Sequence, residues 1–190
     1  AAAVPVAGSI SAVAVGGTLV GIVTATTFFT TEADVGIPGT GQNAYFSVTK
    51  AATPAQLEND QLPHDLTFTI RLTAKETKLT NITVTDKIDV QKESGSFSVT
   101  EDKNGRPIPP LGEDGCPAIT ELEPTTSWEC QFIITATTSP KDFRDSAVLN
   151  TVTVTATPQN QQPVTDFTSA VVIIGTPPSN CPTGWPMAHG

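Results

Sequence analysis

The chain has 190 residues, a net charge of −9 and an isoelectric point near 4.5. That length suits one domain of ordinary size with extensions, and the acidity argues against nucleic acid or anionic membrane surfaces as partners. Charged, aromatic and Met residues are scarce beside Thr, Val and Pro, a bias toward strands and turns.

No charged side chain precedes Glu32, and the centre of this lead reads VAVGGTLVGIVTATTFF, Val13 to Phe29. A signal peptide needs an initiating Met and a basic n-region, and neither is present, so the chain reads as a processed, exported protein. The length admits a membrane anchor, but Val, Ile, Thr and Gly dominate and no Lys or Arg flanks the segment, so no stable membrane span is expected. A helix in a filament core, as in type IV pilins, would have to accommodate Gly16, Gly17, Gly21 and a β-branched run. A strand suits the composition better. Leu19, Val23 and Ala25 alternate with Val20 and Ile22, and Phe28 and Phe29 extend the apolar run. Both faces could be buried if this segment completes a sheet in a neighbouring subunit.

From Asn43 the texture becomes period-two alternation. AYFSVTK puts Ala44, Phe46, Val48 and Lys50 on one face, and LTFTIRLTA groups Leu66, Phe68, Ile70 and Leu72. NITVTDKI aligns Ile82, Val84, Asp86 and Ile88, and SFSVT is a shorter strand. A loop rich in Pro and Gly follows, KNGRPIPPLGEDGCP. WECQFIITAT then aligns Trp128, Cys130, Phe132 and Ile134, LNTVTVTA aligns Asn150, Val152, Val154 and Ala156, and VTDFTSAVVII is apolar on both faces near its end. About seven strands without an amphipathic helix predict an all-β, antiparallel, Ig-like sandwich. The expected organisation is an N-terminal extension over 1–42, a sandwich over 43–175 and a Pro/Gly-rich tail over 176–190.

These strands, in order, resemble a family. FSVTKAAT, LTFTIRLTAKETKLTNITVTDKI, CPAITELEPTTSWECQFIITATTSPKDFRDSAVLNTVTVTATP and VTDFTSAVVI look like the conserved-repeat, Ig-like module of bacterial and archaeal surface proteins. The sequence departs from the family pattern at EPTTSW and AKETK, and it carries a single copy of a module that usually occurs in tandem. The resemblance implies an extracellular structural or adhesive role, no enzymatic activity, and a disulfide between Cys116 and Cys130. It also makes the first forty or so residues surplus to the sandwich, which favours their donation to another copy.

Lys50, Asp86 and Asn150 are the sharpest chemical candidate. Alternation puts each on the apolar side of its strand, and a buried amine, carboxyl and carboxamide are the ingredients of the intramolecular isopeptide bond of Gram-positive pilins. The plainer reading places all three at strand ends, where polar residues mark the exit to solvent. Cys181 is the odd cysteine, free or bonded to another chain. Asn81-Ile82-Thr83 is an N-glycosylation sequon, although strand pattern alone explains its letters. Glu101-Asp102 and Glu113-Asp114 lack EF-hand spacing and read as a solvated acidic loop. With only His64 and His189, no CxxC pair and no phosphate loop, no metal, cofactor or catalytic constellation is expected. The resulting expectation is an extracellular filament subunit that polymerises head to tail by N-terminal strand donation. The alternatives are a type IV pilin-like subunit and a surface-anchored adhesin or binding module.

Overall fold

The computed structural model describes residues 11–15, 18–22, 39–176 and 178–179. The chain divides into a main unit, Asp34–Pro186, and a smaller unit made of Ala1–Ala33 with Met187–Gly190. In the smaller unit β1 (Ser11–Val15) and β2 (Thr18–Ile22) form an antiparallel pair, with Ser11 opposite Ile22 and Val15 opposite Thr18. Leu19, Val20 and Ile22 of the expected donor segment therefore have strand backbone and are paired within their own chain. Val23, Ala25, Phe28 and Phe29 lie outside the described residues, as does Cys181.

The main unit begins with β3 (Gly39–Gln42) and β4 (Phe46–Thr53), then the two-residue β5 (Gln56–Leu57) and a 3-10 turn at Asn59–Gln61. It continues through β6 (His64–Ala74), β7 (Leu79–Lys92), β8 (Gly95–Val99), β9 (Ser127–Ala136), β10 (Ser146–Pro158) and β11 (Val164–Ile174). One sheet has the order β3-β4-β6-β9 and the other β5-β11-β10-β7-β8, all neighbours antiparallel except β5 with β11. The expected all-β sandwich is present. Its first strand, β3, lies in the segment assigned to the N-terminal extension. Gly-Thr-Gly-Gln carries no alternation signal, and its pairing comes from the edge of β4, with Gly39 opposite Lys50.

Alternation builds the core. Leu66, Phe68, Ile70 and Leu72 of β6 are fully buried beside Val48 of β4 and face Ile88, Val90, Val152 and Val154 of the other sheet. Each such side chain contributes about 1.5–3 kcal/mol by leaving water, and interdigitation of the two inner faces fixes the sheets as layers. The register of β7 against β10 slips once, between Thr155 and Thr157. Asn81 sits opposite this slip with φ +49°. Asn tolerates the left-handed conformation a bulge needs better than most residues, so this residue of the sequon has a backbone role, with its side chain exposed.

The two flanks of the sandwich differ. On one, the Pro-rich loop seals the outer edge of β9: Lys103 N–H donates to Ile133 O (2.8 Å) and Gln131 N–H to Gly115 O (2.6 Å). The segment that continues from this loop to β9 covers the first half of β7 through mutual bonds between Leu79 and Leu122 (2.9 and 3.0 Å). On the other flank β5 pairs only Ile173 and Ile174 of β11. No described strand pairs Val164–Val172 on that side.

Candidate functional site: a buried Lys, Asp and Asn between the sheets

Lys50 lies in mid-strand, since β4 continues through the buried Ala52 to Thr53. Asp86 and Asn150 are equally interior to β7 and β10. This overturns the plainer reading of three polar strand ends. Asp86 stands opposite Val152, two residues along from Asn150, so carboxyl and carboxamide are diagonal neighbours on one inward face. Lys50 reaches the Asp86 carboxyl from the opposite sheet.

The Lys50 Nζ stands 2.6 Å from Asp86 Oδ2, and both side chains have 0% exposure. Phe68 and Phe132, opposite one another in β6 and β9, close over the amine, their ring centroids 5.8 and 5.5 Å from Nζ. This apolar enclosure governs the protonation states. Burial pushes the Lys50 amine down to about 8, against the opposing pull of Asp86. Burial likewise pushes the Asp86 carboxyl up, against the attraction of Lys50 and an N–H bond from Lys87 (3.0 Å). The two groups move toward the neutral amine and neutral acid, the condition for a proton to pass between them.

Asn150 is fully buried, and neither its Oδ1 nor its Nδ2 has a hydrogen-bond partner among the described residues. The amide lies near enough to Asp86 to favour its anion, but it does not reach bonding geometry, so it is a neighbour of the carboxyl rather than its hydrogen-bonded partner. Two orphaned polar atoms at this depth cost about 1–3 kcal/mol each, which is unusual in a native core. The sequence pattern identified all three members. It missed the two phenylalanines, whose inward positions were legible but whose meeting at Lys50 depends on the register of three strands, β4, β6 and β9.

The other expected sites are separate from this one. Cys116 and Cys130 form a disulfide, which ties the Pro-rich loop to β9 beside the bond from Trp128 Nε1–H to Pro117 O (2.8 Å). Asp102 is not solvated as expected. Its side chain is 1% exposed, and its carboxylate accepts from Asn104 N–H (2.8 Å), Arg106 N–H (2.9 Å) and Arg106 Nε–H (2.7 Å). Arg106 also reaches Glu113 at 3.1 Å. These partners are close in sequence, and a tight turn folds them onto the carboxylate. Among the described residues no cluster of His, Cys, Asp or Glu could hold a metal ion, and no helix is long and apolar enough to cross a membrane.

No family model and no curated protein matches the chain. Among solved structures, a Niemann-Pick type C2 protein from Japanese carpenter ant superposes over 77% of this chain and 99% of its own, at 9% identity and a TM-score of 0.34. The fold is an all-β sandwich with a disulfide, a combination that fits an oxidising, extracellular compartment.

Proposed function

We propose that this protein is a structural subunit of an extracellular filament, in which the apolar N-terminal segment of one copy adds a strand to the sandwich of the next. The observation that carries this reading is the asymmetry of the two flanks. A loop with backbone hydrogen bonds covers β9 and half of β7, whereas among the described residues β5 is the one strand on the outer edge of β11 and pairs two of its eleven residues, the Phe167 N–H turning instead to the Asp166 carboxylate. The β11 N–H groups of odd number point away from β10, since Ile173 N–H donates to Ala55 O (3.0 Å) and Gly175 N–H to Leu57 O (2.8 Å). Phe167, on that same outward register, is 66% exposed. A long edge beside an exposed aromatic is an aggregation hazard unless a strand covers it, and β-augmentation uses that geometry.

The donor's chemistry agrees. Thr18–Ile22 already has strand backbone, which weighs against a helical filament core. Its uncharged, β-branched sequence suits a site buried on both faces. A contact of this kind is head to tail and does not close on itself, so it propagates as a fibre. The resemblance to surface-protein modules supports the same extracellular, non-enzymatic role. Electron microscopy of the full chain beside a variant lacking residues 1–31 tests the reading: filaments for the first, a soluble monomer for the second. Polymerisation of the truncated protein would overturn it.

A further inference from the structure

We propose that Lys50 and Asn150 become joined by an intramolecular isopeptide bond, with Asp86 passing the protons, so that the two sheets of the sandwich are covalently stapled. This does not depend on filament formation.

The unlinked cluster lacks hydrogen-bond partners. A buried ammonium needs several acceptors, and among the described residues Lys50 has one, Asp86 Oδ2. The Asn150 amide has none of its hydrogen bonds. Native cores rarely carry both defects side by side. Amide formation relieves both: the cation disappears, the orphaned NH2 departs, and the protonated Asp86 left behind is a donor for the remaining Oδ1.

The step balances without a co-reactant. A proton passes from Lys50 Nζ to Asp86, which the facing shifts of the two groups favour. The neutral amine attacks Asn150 Cγ while the protonated carboxyl donates to Asn150 Oδ1. The Nζ–Cγ bond forms and a tetrahedral centre results. Asp86 then takes the second Nζ proton and delivers one to Nδ2. The Cγ–Nδ2 bond breaks, ammonia leaves, and the Oδ1 proton returns to Asp86 as the carbonyl re-forms, so the carboxyl ends protonated. Phe68 and Phe132 exclude the water that would otherwise solvate the amine. Asn150 is the electrophile rather than Asp86, because a carboxyl consumed in the bond would leave no proton carrier in the cluster. On the filament reading above, the staple also lies on the load path: β4 pairs with β3, the first sandwich strand after the donor segment in chain order, and β10 pairs with the accepting strand β11.

The test is the intact mass of the reduced, denatured full chain, followed by peptide mapping. The expected result is a deficit of one ammonia and a branched peptide joining Lys50 to Asn150. Asp86→Ala should restore the full mass. Should that variant fail to fold, Asn150→Asp serves instead, because it should lose water and reach the same final mass as the parent. An unshifted mass overturns the proposal. So does a water deficit with Lys50 joined to Asp86, or an ammonia loss that maps to the Asn104-Gly105 pair, where succinimide formation gives the same deficit.

Discussion

Lys50 and Asp86 meet at 2.6 Å although they are carried by different sheets, one on β4 and the other on β7. A polar contact across the middle of a sandwich, with both side chains fully buried, holds the layers by something other than apolar packing. Ion pairs so placed gain little net stability, because desolvation offsets their attraction. Their value here is chemical: they bring an amine and a proton carrier to an amide that has nothing else to do.

The staple should contribute measurably to stability. Asn150→Ala keeps the Lys50–Asp86 pair and removes the electrophile. Closing a loop of about 100 residues is worth about 4–5 kcal/mol in the chain-entropy picture of cross-links. Guanidinium denaturation should show a loss of that order. A variant as stable as the parent would mean that no loop is closed.

Reduction of the Cys116–Cys130 bond should cost about 3 kcal/mol, the loop-entropy value for a separation of 14 residues. Thermal melts with and without reductant measure it. The loss should be accompanied by faster amide exchange at Gln131, whose N–H is held by Gly115 O of the tethered loop.

Asp102 makes the Pro-rich loop acid-sensitive. Burial alone would raise its pKa, but the Arg106 guanidinium and the two backbone N–H bonds win and hold the carboxyl below its usual value of 3.8. A carboxylate lowered in the folded state adds stability that is complete above its unfolded pKa and is lost as pH falls through the folded one. The Asn104 and Arg106 amides should therefore stay protected at neutral pH and open below about pH 4. Asp102→Ala should open them at all pH values and cost about 1–3 kcal/mol. Hydrogen exchange followed by NMR distinguishes the two behaviours.

Ser169→Pro tests the acceptor edge. The Ser169 N–H points away from β10, so proline there removes an edge donor and leaves the β10 ladder intact, a placement sheets tolerate. The far-UV circular dichroism should be unchanged and filaments should be absent by electron microscopy. Filaments of normal abundance would place the junction elsewhere.

Gly175→Ala should destabilise the sandwich by at least about 1 kcal/mol, the cost of a left-handed non-glycine residue. Gly175 has φ +63°, and an added Cβ would collide with the Asn59 amide. That amide cannot swing away freely, because it exchanges hydrogen bonds with Asp145 (2.8 and 3.1 Å). A thermal melt of the variant checks it.

The class of fold was legible because half-buried strands write their burial into every second residue. Leu66, Phe68, Ile70 and Leu72 face inward as read, and so do Lys50, Asp86 and Asn150, whose polarity was conspicuous against that rhythm. β3 and β5 were not legible. Gly39–Gln42 and Gln56–Leu57 have no alternation of their own and are strands only because β4 and β11 present unfilled backbone groups. Asp102 misled for a related reason. Its sequence neighbours look like an exposed acidic turn, and only the folding of Arg106 back onto it makes the site buried.

The sequence by itself thus determined the all-β class, the inward face of the longer strands and the chemical types on those faces, all properties of a single strand and its period of two. Only the tertiary structure decided the distances between strands: that Lys50 touches Asp86, that Phe68 and Phe132 cover the amine, and that Asn150 is left without a partner. Those relations depend on register and on how two sheets stack, and no local pattern in the chain encodes either.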